Sequence, residues 1–225
     1  MKIILNMKSK YKEKAFSKSI DILGKNNEEI GKLVPIGHWA LNEEGLLNQF
    51  YLWRKKFMRL YLAQFVPSIE SMKKYILNFS INEDSRIFFG IYGKCGTLFG
   101  HIGLSNIKNK KAELDNIIRG LSGGDKELMY YAEKTLIQWA FKKLNILNIS
   151  AKIISKNIFV HKLHAKLHFK KKESFFLKKI VKNNIINHEI CKREFSNVNY
   201  KLDVILLNKN DFFINEDRKC TIKNS

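Results

Sequence analysis

Residues 112–169 read AELDNIIRGLSGGDKELMYYAEKTLIQWAFKKLNILNISAKIISKNIFVHKLHAKLHF, and their periods decide the fold. AELDNII (112–118) is strand-like, and RGLSGGDKELM after it carries Gly120, Gly123 and Gly124 in a turn. From about Lys126 to Asn145, apolar Leu128, Ala132, Leu136, Ala140 and Leu144 recur four residues apart, flanked by Met129, Ile137 and Phe141. That spacing predicts an amphipathic helix, with Asp125 placed to cap it. ISAKIIS (149–155) predicts a second strand, Asn157 interrupts it, and IFVHKLHAKLHF (158–169) predicts a short helix. A turn whose amides face the start of a helix is a phosphate cradle. A second strand followed by Asn and a further helix implies a long, phosphate-bearing cofactor lying between two strands.

Working outward, residues 41–62 (LNEEGLLNQFYLWRKKFMRLYL) carry apolar Leu46, Leu47, Phe50, Leu52, Trp53, Phe57, Leu60 and Tyr61 at helical spacing, and Pro67 stops that helix. Ser68 caps a second helix, with Ser71 three residues on, and Ile69, Met72, Tyr75, Ile76 and Phe79 form one face. The period then changes. SRIFFGIY (85–92), GTLFGHIGLSNI (96–107) and KAELDNIIRG (111–120), joined by tight turns at Gly93–Gly96 and KNKK, predict an antiparallel meander. KKESFFLKKIV (171–181) and NYKLDVILLN (199–208) predict two final strands with a polar loop between them. Residues 1–32 read as a Lys-rich N-terminal extension in which MKIILN is a first strand. Residues 208–225 read as a C-terminal tail that frays.

The chain has 225 residues, 45% hydrophobic and 12% aromatic, enough for one domain with a full core and too apolar for disorder. No apolar run reaches membrane-spanning length, so no membrane partner is expected. Cys95, Cys191 and Cys220 are scattered without metal spacing, so no metal site and a reducing, cytoplasmic setting are expected. The formal net charge of +20 has two readings: attraction for polyanions, or a compositional bias toward Lys, Asn and Ile that also aids solubility. No zinc-finger spacing, RNA-binding signature or basic heptad arm is present, so nucleic acid is not the expected partner.

The order of two helices, three antiparallel strands, helix, strand, helix and two strands resembles the GNAT acyltransferase superfamily over about residues 33–207. WAFKKLNI resembles the usual end of that family's cofactor-loop helix, and Asn157 to Phe169 its Asn…Leu-Tyr…Leu-Gly-Phe segment. The resemblance implies an α+β fold in α/β/α layers: a mixed, mostly antiparallel twisted sheet of about six to seven strands with helices on both faces. It implies a donor, acetyl-CoA, with CoA as product, and direct transfer to an amine. The family's phosphate loop would fall on GDKELM (124–129), which lacks the usual glycines and Arg/Gln. The cofactor set implied is Ile117, Ile118, Arg119, Gly123, Gly124, Lys126, Leu128, Met129 and Asn157. A backbone amide at Ile117 or Ile118 would polarise the thioester carbonyl.

Two departures bear on chemistry. His164 stands where the family often has a Tyr that protonates the leaving sulfur, and His168 replaces the Gly before Phe169. His164 is therefore the candidate acid; the alternative is a polar helix face shared with His161 and His168. Glu113 and Asp115 alternate with Ala112 and Leu114, so both carboxylates share one side of a strand and are candidate bases. His101 on the neighbouring strand competes for that role or is a buried structural histidine. YLWRKKF (51–57) with IFFGIYGKCGTLFGHIGL (87–104) resembles the subgroup that acetylates amino sugars on nucleotide carriers, which implies a nucleotide-linked amino sugar as acceptor. His38, Trp53 and Arg54 are the acceptor candidates, against a core role for Trp53 and a helix-bridging role for Arg54. A homodimer is compatible with this reading. Two others stand beside it: acetylation of protein N-termini, and a basic binding protein on a degenerate form of the fold.

Overall fold

A computed structural model describes residues 2–221 of the chain. Among the residues singled out above, the side chains of Phe79 and Cys220 lie outside the described part, as do residues 222–225 of the expected tail.

The described residues form one ten-stranded sheet. Its strands are β1 (Ile20–Leu23), β2 (Glu29–Pro35), β3 (Ala63–Gln64), β4 (Ile87–Gly93), β5 (Leu98–Lys108), β6 (Lys111–Arg119), β7 (Asn148–Ile154), β8 (Lys170–Lys182), β9 (Ile185–Cys191) and β10 (Lys201–Asn208). The spatial order is β1-β2-β4-β5-β6-β7-β10-β8-β9-β3. Every neighbouring pair is antiparallel except β6 and β7, which run parallel. The layered, mostly antiparallel fold matches the expectation; the strand count exceeds it.

Period-2 alternation in β4 builds two cores. Ile87, Phe89 and Ile91 face one side, against Leu128, Leu136, Ala140 and Phe141 of α5 (Leu128–Lys143). Phe88 and Tyr92 face the other, against Leu46, Phe50 and Trp53 of α3 (Glu44–Phe57) and Ile76 of α4 (Ile69–Ile76). Each fully buried Phe or Ile contributes about 1.5–3 kcal/mol, so the sheet is held from both faces. Ser68 and Ser71 cap α4 reciprocally, each side chain taking the other's backbone amide.

Three sequence expectations need correction at the ends. The described part of MKIILN, residues 2–6, is not a strand. It lies in a helix, α1 (Lys2–Met7), because Ile4 and Met7, three apart, bury together in the α5-side core. Lys8 follows it into the fold, its Nζ donating to the carbonyls of Glu83 at 2.6 Å and Ile81 at 3.3 Å, and burial lowers its pKa to about 8. After α2 (Lys12–Phe16), β1 and β2 continue the same sheet. The polar loop expected between the last strands is instead a hairpin, β8–β9, turned by Asn183 and Asn184 at φ 50° and 61°. Paired left-handed residues make the tight turn that matches strand twist, and Asn tolerates them. The tail does not fray at residue 208: α7 (Lys209–Thr221) begins there, with Phe212 fully buried against Phe141 at 5.6 Å between ring centroids.

Candidate active site

β6 and β7 pair only from Lys111↔Asn148 to Leu114↔Ala151. Beyond that register the strands separate. Asp115–Arg119 stays on β5, and Lys152–Ile154 stays on β10. The facing edges of the two strands then have no strand partner, which leaves backbone donors and acceptors for an inserted chain. A cavity of about 710 Å³ fills this gap. Its walls include Ile117, Ile118 and Arg119 on one side, Lys152 and Ile153 on the other, Asn157 just ahead of α6 (Ile158–Lys166) and His164 within it.

A bulge opens the gap. Between His101↔Ile118 and Gly103↔Asp115 the β6 strand has one extra residue, and Asn116 adopts φ 54°. Three partners hold it. His101 donates from Nδ1 to the Asn116 carbonyl at 2.6 Å; the Asn116 amide donates to Asp115 Oδ1 at 2.7 Å; its Nδ2 donates to the Tyr75 hydroxyl at 2.6 Å. His101 is buried among Phe50, Trp53 and Phe88, with ring centroids 4.9 to 5.9 Å away. Burial drives its pKa down to about 4, so the ring stays neutral at working pH. Its surroundings fit a strut for the bulge better than a base.

The two carboxylates of β6 differ. Glu113 is neutralised by Lys152, Nζ to Oε2 2.9 Å, and accepts from Asn106 at 3.2 Å. Asp115 sits at the bulge. Burial raises its pKa, against the opposing pull of Arg86, whose Nη2 lies 3.6 Å from Oδ2. A carboxylate moved toward neutral pH accepts a proton more readily.

The loop before α5 is shaped by Arg119, which donates to the carbonyls of Gly123 at 2.6 Å and Asp125 at 3.3 Å. Gly123 and Gly124 adopt φ 91° and 65°, and a Cβ on Gly124 would lie 2.7 Å from the Phe99 ring, so glycine is required there. The expected Asp125 cap takes a different form: its Oδ1 accepts from Glu127 N at 2.7 Å, ahead of the helix. Met129 lines the cavity, whereas Leu128 is fully buried in the core. Gly123, Gly124 and Lys126 stand outside the cavity wall, Lys126 exposed. Asn157 lines the wall, and its Oδ1 caps α6 by accepting from Val160 N.

His164 is 1% exposed on the cavity wall. Its Nδ1 bonds to Oε1 of Glu133 from α5, which is itself fully buried. The other ring nitrogen, Nε2, is buried without a partner among the described residues. Glu133 escaped the sequence reading, though a signal was present: it interrupts the apolar face running through Met129, Leu136, Ile137 and Ala140.

Against the bulge lies a smaller chamber of about 250 Å³, sharing Arg54, Tyr61, Tyr75 and Asn116 with the main cavity. Phe65, Met72 and Phe88 add apolar walls. Burial pushes the Tyr61 hydroxyl up to about 12 and Tyr75 higher still, so both remain neutral. The Arg54 guanidinium stacks 3.4 Å over the Tyr61 ring and donates to the Ala63 carbonyl at 2.9 Å, while its Nε is buried without a partner among the described residues. The other two acceptor candidates lie elsewhere. Trp53 is core, packed so closely on Gly120 that a Cβ there would fall 1.8 Å from the indole. His38 is exposed in a short 3-10 helix and lines neither cavity. Tyr61, Tyr75 and Asn116 were not singled out for the site; the two tyrosines sit in helical apolar patterns that read equally as core, and Asn116 lies inside a strand-like stretch.

The far wall is tied down by β9. Ala63 pairs with Asn187, and His188 bonds through its backbone and Nδ1 to the Leu62 carbonyl at 3.0 and 2.8 Å. His188 Nε2 meets the Tyr200 hydroxyl at 2.6 Å.

The family model described as "Acetyltransferase (GNAT) domain" matches residues 44–195. No curated protein matches the chain. Among solved structures, spermidine N-acetyltransferase from Vibrio cholerae in complex with CoA and spermine is 12% identical, with a TM-score of 0.60, covering 80% of this chain and 96% of that one. A Salmonella typhimurium acetyltransferase that modifies the N-terminal serine of a 50S ribosomal subunit protein is 13% identical, with a TM-score of 0.61, covering 80% and 96%. The microcin C7 self-immunity acetyltransferase MccE, in complex with acetyl-CoA and AMP, is 18% identical, with a TM-score of 0.59, covering 80% and 93%.

Proposed function

The chain belongs to the GNAT acetyltransferase family, and we propose that the amine it acetylates is carried by a small anionic molecule, a nucleotide-linked amino sugar. It is an acetyl-CoA-dependent N-acetyltransferase. The splayed strands fit that donor: an open gap edged by unpaired backbone receives an extended, amide-bearing arm, as a strand is received at a sheet edge. Ile117, Ile118, Arg119, Met129 and Asn157 would hold it. Bound acetyl-CoA supplies a thioester whose carbonyl carbon bonds to the amine nitrogen as its bond to sulfur breaks.

The chain's own groups then manage protons and position. Asp115, with its raised pKa, takes a proton from the amine, directly or through water. His164 offers Nε2 to the sulfur side. An amide at Ile117 or Ile118 on the bulged strand would stabilise the negative charge that grows on the carbonyl oxygen. Tyr61 and Tyr75 wall the acceptor.

One observation carries the choice of acceptor. The chamber holds the Arg54 guanidinium among aromatic rings, its Nε without a partner among the described residues, and none of the chamber's lining residues is acidic. A polyamine would bring positive charge toward Arg54 with no carboxylate in the chamber to receive it. A phosphate would find a guanidinium, and a base or sugar would find rings to stack on. CoA release should be measured with acetyl-CoA and a panel of UDP-, GDP- and dTDP-amino sugars, spermine and a peptide N-terminus. Turnover of a nucleotide amino sugar is the expected result. Turnover of spermine alone, or of the peptide alone, would reject it.

A further inference from the structure

We infer that Glu133 is the positioning residue for proton delivery by His164, a buried carboxylate–imidazole pair built into the helix that follows the cofactor loop. The inference rests on the reading of the gap as the acetyl-CoA site.

Glu133 is fully buried on α5, among Leu128, Ala132, Leu136 and Ile137. A carboxylate there is costly, because desolvation opposes its charge. The fold keeps it, bonded through Oε1 to His164 Nδ1. An imidazole that donates from Nδ1 must present Nε2 as its second nitrogen, so the pair fixes both tautomer and ring plane. Phe169 holds the ring from another side, centroids 4.9 Å apart. Nε2 is left buried and without a partner on a residue that lines the cavity. Such an atom needs a ligand group or a water to satisfy it.

The charged groups around this ring are few. Glu133 faces it from α5, and His161 lies three residues earlier on α6. Beyond His161 stands Asp203 of β10, 3.5 Å from His161 Nε2, with Lys171 of β8 at 2.7 Å from Asp203. Asp203 is engaged by Lys171 and by the Ser174 hydroxyl, which donates to Oδ1 at 2.6 Å, and Glu133 is the carboxylate in contact with His164.

In the step this serves, the amine nitrogen bonds to the acetyl carbon and the carbon–sulfur bond breaks. The amine proton goes to Asp115, and the Nε2 proton goes to sulfur. To give that proton the ring must start as an imidazolium, whose charge the Glu133 carboxylate would balance. Solvent then returns a proton from Asp115 to His164, and products are the amide and CoA thiol.

The test uses the full chain in two arms. Long-range 1H–15N NMR of the wild type should show His164, once neutral, with its proton on Nδ1 and Nε2 bare; a proton on Nε2 overturns the inference. Steady-state kinetics should then compare E133Q, E133D and H164Q on the best acceptor of the panel above. E133Q should lose about 10–100-fold in kcat, with acetyl-CoA affinity within about twofold, and E133D should recover part of it. E133Q and H164Q combined should cost no more than H164Q alone. The rate of E133Q should also fall away at lower pH than that of the wild type as pH rises. A loss confined to acetyl-CoA affinity, or an unmoved pH profile, overturns it. Wild-type protein that fails to bind acetyl-CoA would instead reject the cofactor site, with the NMR tautomer unaffected.

Discussion

At the residue scale, burial decides which of the titratable groups near the gap can act. His101 and Asp115 lie two paired positions apart across β5 and β6, yet burial moves them in opposite directions. The histidine is held neutral down to about pH 4, and the aspartate is made more basic. For His101, the unfolded chain binds a proton near pH 6.5 and the folded one only near 4. Stability contributed by this group is therefore lost as pH falls through that window, by about 3 kcal/mol in all. Chemical denaturation of His101→Phe across pH 4–6.5 should show a shallower pH slope than the wild type, although the variant is less stable at pH 7. An identical slope would show that the ring is solvated. Asp115→Asn should lower kcat by about 10²–10³-fold with little change in acetyl-CoA affinity by calorimetry; full activity would exclude it as base. His164 and Asn157 became candidates through the family resemblance of the Asn157–Phe169 segment, and Asp115 through the alternation of a strand. Glu133 was hidden because a lone carboxylate in a helix is ordinarily solvated, and only tertiary packing buries this one.

At the element scale, the site is a failure of pairing that the fold maintains. Two parallel strands meet for four residues and part where Asn116 takes a left-handed conformation. Asn116→Val should cost about 1–2 kcal/mol from backbone strain alone, readable as a lower melting temperature, and should also impair turnover by moving Ile117 and Ile118. Unchanged melting and turnover would show that the bulge does not set the site. The β8–β9 hairpin holds the opposite wall through His188. His188→Ala should raise the acceptor KM several-fold and speed hydrogen exchange at residues 61–64, while acetyl-CoA affinity stays put. Coupled loss of both affinities would mean that the hairpin supports the whole gap. The meander, α5 and β7 were legible because their periods are clean. The hairpin was not, because NNIIN reads as a polar loop until two adjacent asparagines are recognised as its turn.

At the scale of the whole molecule, the two ends were the least legible parts. MKIILN is a short apolar run and the segment after residue 208 is mostly polar, and packing against the α5-side core accompanies the helices at 2–7 and 209–221. Charge works at this scale too. With a formal +20, the protein draws polyanions from a distance, and that attraction is screened by salt. Acetyl-CoA affinity should therefore weaken several-fold between about 0.05 and 0.5 M NaCl, chiefly through slower association in stopped-flow traces. Salt-independent association would place the donor's phosphates away from the basic surface.

The central claim, that the gap between β6 and β7 is the donor site, is tested most directly by a crystal structure grown with saturating CoA. The extended arm should lie between Asp115–Arg119 and Lys152–Ile154, with its sulfur near His164. Continuous density for CoA elsewhere, with these two strand segments closed on each other, would contradict the account.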